Sequence, residues 1–164
     1  MERYRIGLLN HLKALLSLLF VGVIMLGVLF WLNFDETVVV IFGIFFLADA
    51  IPALYLHLEY WLSNMGEQYE INTNAIIRYK DGDQLKYSIE NIYKVILYKS
   101  ASMGKGGIPF LAIESYYYAR VIFKSGEELI ITRLLTSKLE DVVRSFKGVP
   151  FVSKKRLFCT IFWK

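Results

Sequence analysis

Asp49 stands in FFLADAIPALYLHLEYW, residues 45–61, where the surrounding side chains are almost all apolar. An aspartate at the centre of a membrane helix costs ~2.5–3.5 kcal/mol on insertion scales, so it needs a partner or a cavity. No Lys or Arg reaches that depth, and Ser17 is the nearest polar residue on the preceding apolar segment. Pro52 cannot donate to the carbonyl of Ala48 and is expected to kink the helix there. Asp49 then has two readings. It is either a protonated side chain bonded within a helix bundle, or an intramembrane contact to a second copy or another membrane protein.

The remaining chemistry-bearing residues point to binding rather than catalysis. The sequence contains no G-x-S-x-G, H-E-x-x-H, C-x-x-C or Walker A pattern, and no metal or cofactor set is assigned. His11 and His57 fall at similar depth near one end of the two apolar segments, where two imidazoles make a poor metal site and suit an interfacial position better. The glycine-rich SASMGKGGIP at 100–109 could cradle an anion through successive N–H groups, although its glycine and serine enrichment favours a flexible interstrand loop. In PFVSKKRLFCTIFWK, Lys154, Lys155 and Arg156 adjoin Leu157, Phe158, Phe162 and Trp163. Cations beside aromatics suit an anionic membrane surface at ~1 kcal/mol per cation; the competing reading pairs LFCTIFW with a sheet edge. Three basic residues are too small a footprint to argue for nucleic acid. Cys159, the one cysteine, forms no intrachain disulfide and reads as a small apolar residue of the tail.

These residues must be positioned by a chain of 164 residues that is 55% hydrophobic and carries a net charge of +4. Its mean hydropathy of +0.42 indicates a membrane protein rather than a purely soluble domain. Residues 14–32 form an uncharged run of 19, long enough at ~1.5 Å per residue to cross most of a ~30 Å hydrocarbon core. Residues 38–58 form a second span, and the short NFDET between them requires an antiparallel hairpin. Arg3, Arg5 and Lys13 precede the first span, the connecting turn holds only Asp35 and Glu36, and the other basic residues follow Tyr60. Both termini are therefore expected in the cytoplasm.

Beyond SNMGEQ the pattern changes to alternation. AIIRYK at 75–80 and QLKYSI at 84–89 flank Asp81-Gly82-Asp83, a hairpin signal. EQYEIN, IYKVILYK at 92–99, a stretch near PFLAI, YYYARVIFK at 116–124 and EELIITRL at 127–134 extend this to six or seven antiparallel strands. Within Tyr116-Tyr117-Tyr118, alternation places one side in the core and the other outward. Ser137-x-x-Glu140 has the form of a capping box, followed by Leu139, Val142, Val143 and Phe146 at helical spacing up to Gly148 and Pro150. The expected fold is α+β: a transmembrane hairpin over residues 1–62, then an antiparallel sheet or barrel domain over 67–164, closed by an amphipathic helix.

With the helix pair followed at once by YSIENIYKV at 87–95, YYYARVIFKSGEELIITRLL at 116–135 and a helix after Thr136, the chain resembles bacterial pleckstrin-homology-like (PH-like) membrane proteins. The resemblance covers essentially the whole chain. It implies a non-enzymatic binding or scaffolding module, with both termini on the cytoplasmic side of a bacterial inner membrane. The partners expected are the bilayer, anionic headgroups at Lys154, Lys155, Arg156 and Trp163, and a second copy or a membrane protein at Asp49. The alternative is an accessory subunit of a membrane transport or enzyme complex that engages a partner helix through Asp49. Relatives of the fold often bind phosphoinositides, but Lys80, Asp81 and Asp83 mix signs in the first hairpin where a basic pattern would be expected.

Overall fold

The computed structural model describes residues 2–100 and 111–162. A short strand β1, Glu2–Arg5, leads into helix α1, Leu8–Trp31. Helix α2, Glu36–Asn64, returns as one element through Pro52. The turn between them places Asn33 and Phe34 at positive φ. Asp35 caps α2, its Oδ1 accepting from Thr37 N at 3.0 Å and Val38 N at 3.2 Å. Both helices are long and apolar enough to cross a membrane, and both continue past the apolar runs into polar ends.

Strands β2 (Glu67–Ile71), β3 (Ala75–Lys80) and β4 (Asp83–Ser88) join β1 in an antiparallel sheet of order β1-β2-β3-β4. The expected turn between β3 and β4 forms, with Asp81 at φ 53° and Gly82 at φ 90°. A second sheet contains β5 (Ile92–Lys99), β6 (Tyr118–Phe123), β7 (Glu128–Thr132) and β8 (Phe151–Lys155), in the order β7-β6-β5-β8.

Among the strands, three features depart from the sequence reading. Glu2–Arg5 precedes the hairpin yet pairs with β2, Arg5 opposite Gln68, so the sheet draws strands from both sides of the helices. The Leu111-Ala112-Ile113 part of the stretch near PFLAI is no strand, since Ala112–Ser115 forms a 3₁₀ turn. The second sheet is mixed rather than wholly antiparallel, because β8 lies parallel to β5.

The expected closing helix is reduced to α3, Leu139–Arg144, whose six residues make fewer than two turns. The capping box does not form. Thr136 Oγ1, not Ser137, accepts from Lys138 N, while the carbonyl of Ser137 accepts from Tyr117 Oη. Leu139, Val143 and Phe146 still enter the core between the sheets, beside Tyr69, Val95 and Val121. The apolar periodicity is thus satisfied by a much shorter helix.

A second apolar cluster holds the hairpin onto the outer face of the second sheet. Ala50, Ala53, Leu56 and Tyr60 lie on one stripe of α2 and pack with Ile96, Tyr98 and Tyr118, joined by Ala14 and Leu18 of α1. Both faces of this sheet are therefore covered. Tyr117 enters the core between the sheets, whereas Tyr116 and Tyr118 enter the seam with the hairpin, so all three tyrosines are buried. Sequence alternation correctly assigns opposite faces but cannot reveal that a helix covers the second one.

Candidate functional site

The seam between hairpin and second sheet gathers most of the polar residues that the sequence leaves unexplained. Asp49 is met by the 3₁₀ turn: Ala112 N donates to its two oxygens at 3.0 and 3.1 Å. The carboxyl thus has a partner in its own chain, supplied by backbone 63 residues away. Ser17 does not reach Asp49. Its hydroxyl pairs with that of Ser115 at 2.8 Å, tying α1 to the same turn. Arg133 donates to the carbonyl of Ser115 and, at 3.4 Å, to that of Lys13. His11 Nδ1 and His57 Nε2 lie 2.8 Å apart, and His57 Nδ1 lies 3.0 Å from Tyr116 Oη. The two histidines that share a depth in the sequence therefore share a hydrogen bond, and one of them is joined to the sheet.

Nearer the end of α2, the seam holds the tail. Glu59, 4% exposed, accepts from Thr160 Oγ1 at 2.6 Å, Ile161 N at 3.0 Å and Phe162 N at 3.2 Å through Oε1. Tyr60 Oη donates to the carbonyl of Cys159 at 2.6 Å, Tyr118 Oη to that of Thr160 at 3.2 Å, and Arg120 Nη2 to that of Ile161 at 3.2 Å. Side chains of α2 and β6 thus satisfy the tail backbone without a strand partner, as burial requires. LFCTIFW forms no sheet-edge strand over its described residues; the strand is the preceding FVSKK. Burial first raises the Tyr118 phenol, to about 12, and likewise raises the Cys159 thiol to about 12, keeping it protonated.

Asn64 closes the end of α2. Its Nδ2 donates to Ile130 O at 2.9 Å and its Oδ1 accepts from Thr132 N at 3.1 Å, occupying the free edge of β7. Its Nδ2 also reaches Glu67 at 3.2 Å, where Arg78 and Tyr69 converge on the same carboxylate. A cleft of about 370 Å³ opens beside this knot between Arg5, Gln68, Tyr79 and Lys80. Lys80 lies 3.4 Å from Glu67, so the cleft keeps the mixed signs read from the first hairpin.

Of the expected basic patch, Lys154 and Arg156 converge on the Tyr98 ring, with Lys154 Nζ 5.9 Å from its centroid. Lys154 and Lys155 are exposed on consecutive positions of β8, which point to opposite faces. The Arg156 guanidinium lies over the Tyr98 ring at 4.6 Å. Trp163 lies outside the described residues, as does the glycine-rich loop from Ala101 to Pro109. Among the described residues no group of three or more His, Cys, Asp or Glu could hold a metal. The sequence reading does not single out Glu59, Asn64 or Arg120. Glu59 alone carried a visible signal, an acid directly after an apolar span.

The family model described as PH domain matches residues 3–140, from β1 through the hairpin, the first sheet and strands β5 to β7 into α3, leaving β8 and the tail outside the match. No curated protein matches the chain.

Proposed function

Because the chain belongs to the PH-domain family, we propose that it is a non-enzymatic binding or scaffolding module anchored at the cytoplasmic face of a bacterial inner membrane. The observation carrying this reading is the unpartnered apolar surface of the hairpin. Leu8, Leu12, Leu16, Val23 and Phe30 on α1 are all exposed, as are Ile44, Ile51, Leu58 and Leu62 on α2. An apolar band extending over two helices is covered by lipid in a membrane protein. The charge bias across the hairpin supports cytoplasmic termini. Lys154, Lys155, Arg156 and Trp163 are the proposed contacts for anionic headgroups.

Two measurements test this reading on the full chain. It should remain in the membrane pellet through alkaline carbonate extraction; release into the supernatant contradicts anchoring. Detergent-purified protein should retain anionic lipid in native mass spectra, and the double variant Lys154→Gln, Lys155→Gln should retain less. Equal retention removes these lysines from the site. The accessory-subunit alternative must use an Asp49 carboxylate whose oxygens both face Ala112 N.

A further inference from the structure

Resting on the anchoring just proposed, we infer that the domain itself enters the inner leaflet: the turn at Leu111–Ser115 is submerged beside α2, and Leu157 and Phe158 sit at the hydrocarbon boundary. The hairpin provides a depth scale. Asp49, Tyr55 and Glu59 lie 14, 20 and 24 residues beyond Asp35. At ~1.5 Å per residue these are ~21, ~30 and ~36 Å from the outer turn, against a hydrocarbon core of ~30 Å.

Contacts carry that scale to the domain. Ala112 N bonds Asp49, placing the turn ~9 Å inside the inner boundary. Phe158 stacks on Tyr55 with ring centroids 6.0 Å apart, at the boundary. Phe162 N bonds Glu59, at headgroup level. The exposed side chains at these positions are apolar: Leu111 is 38% exposed, Leu157 76% and Phe162 73%. They continue the lipid-facing band of α2 through Tyr55, Leu58 and Leu62, all exposed. Lys154 and Lys155 follow on the cytoplasmic side, where anionic headgroups attract cations.

Non-helical backbone is tolerated at membrane depth only when its polar groups are satisfied within protein. Much of the turn's backbone is satisfied in this way. Ala112 N is taken by Asp49, Glu114 N by Leu111 O, Tyr116 N by Ile113 O, Leu111 N by Glu114 Oε2 and Ser115 O by Arg133. Asp49 thus has a use that anchoring alone does not give it. It caps a turn held where water is scarce.

The test uses the full chain in anionic bilayers, in a Cys159→Ala background, with nitroxides at Leu111→Cys and Leu157→Cys. Val23→Cys is the hydrocarbon reference and Tyr93→Cys the aqueous one. Oxygen concentrates in hydrocarbon while a nickel chelate is excluded, so the oxygen-to-nickel accessibility ratio at Leu111 should approach that at Val23 and exceed that at Tyr93 by about an order of magnitude. Leu157 should fall between the references. If Val23 reads as lipid while Leu111 or Leu157 reads like Tyr93, the submerged domain is wrong and the anchor stands. If Val23 also reads as aqueous, both fail.

Discussion

Glu67 gathers Arg78, Tyr69 and Asn64 around one buried carboxylate at the junction of α2 with the first sheet. Burial alone would raise its pKa, but hydrogen bonds from Tyr69 and Arg78 outweigh that and leave it below the ordinary 4.5. A depressed folded-state pKa stabilises the fold above the unfolded value, and the contribution is lost as pH falls through the folded one. Thermal stability should therefore decline below pH 4.5, and Glu67→Gln should be less stable at neutral pH with a flatter acid limb. An unchanged acid limb in the variant contradicts this role. Asp49 gives a second residue-scale prediction. Asp49→Leu leaves Ala112 N without its acceptor and should cost ~1–3 kcal/mol in detergent unfolding, whereas Asp49→Asn, which keeps an acceptor oxygen, should cost less. Equal stability of all three forms removes the capping role. That Asp49 needs a partner is legible from its type and position. The partner is not, because a backbone N–H brought from the β5–β6 connection carries no residue signature.

Among the elements, strands with strict alternation or an Asp-Gly turn were legible, and those defined only by their neighbours were not. ERYR is too short to signal a strand, and FVSKK becomes one through parallel pairing with β5. The six-residue α3 stops at Ser145, yet Leu139 and Val143 within it and Phe146 beyond it are all seated in the core. The tail is the element whose behaviour is most open to test. Glu59, Tyr60, Tyr118 and Arg120 hold its backbone, and Cys159 beneath it is 1% exposed with its thiol raised to about 12. Native Cys159 should therefore react slowly with thiol reagents. Glu59→Ala removes the acceptor for Ile161 N and Phe162 N, and should raise the labelling rate by about tenfold or more through local opening. Glu59→Gln, which retains an oxygen, should raise it less. A rate in Glu59→Ala equal to that of the parent shows that the tail is held by other contacts.

For the whole molecule, the hairpin is built into the fold rather than tethered to it. β1 before the helices pairs with β2 after them, only Met65 and Gly66 separate α2 from β2, and α2 packs on the second sheet. A family match beginning at residue 3 spans the same unit. The sequence shows two spans and a sheet domain by composition and period, but their union depends on tyrosines and small residues whose destination is set by tertiary packing. The account centres on this unit standing in a membrane with its sheets on the cytoplasmic side. Labelling of intact cells with an impermeant thiol reagent tests it most directly, using full-length Asn33→Cys and Tyr93→Cys variants in a Cys159→Ala background. The account predicts that position 33 is labelled from outside and position 93 only after lysis. Labelling of position 93 in intact cells, or protection of position 33 until lysis, contradicts it.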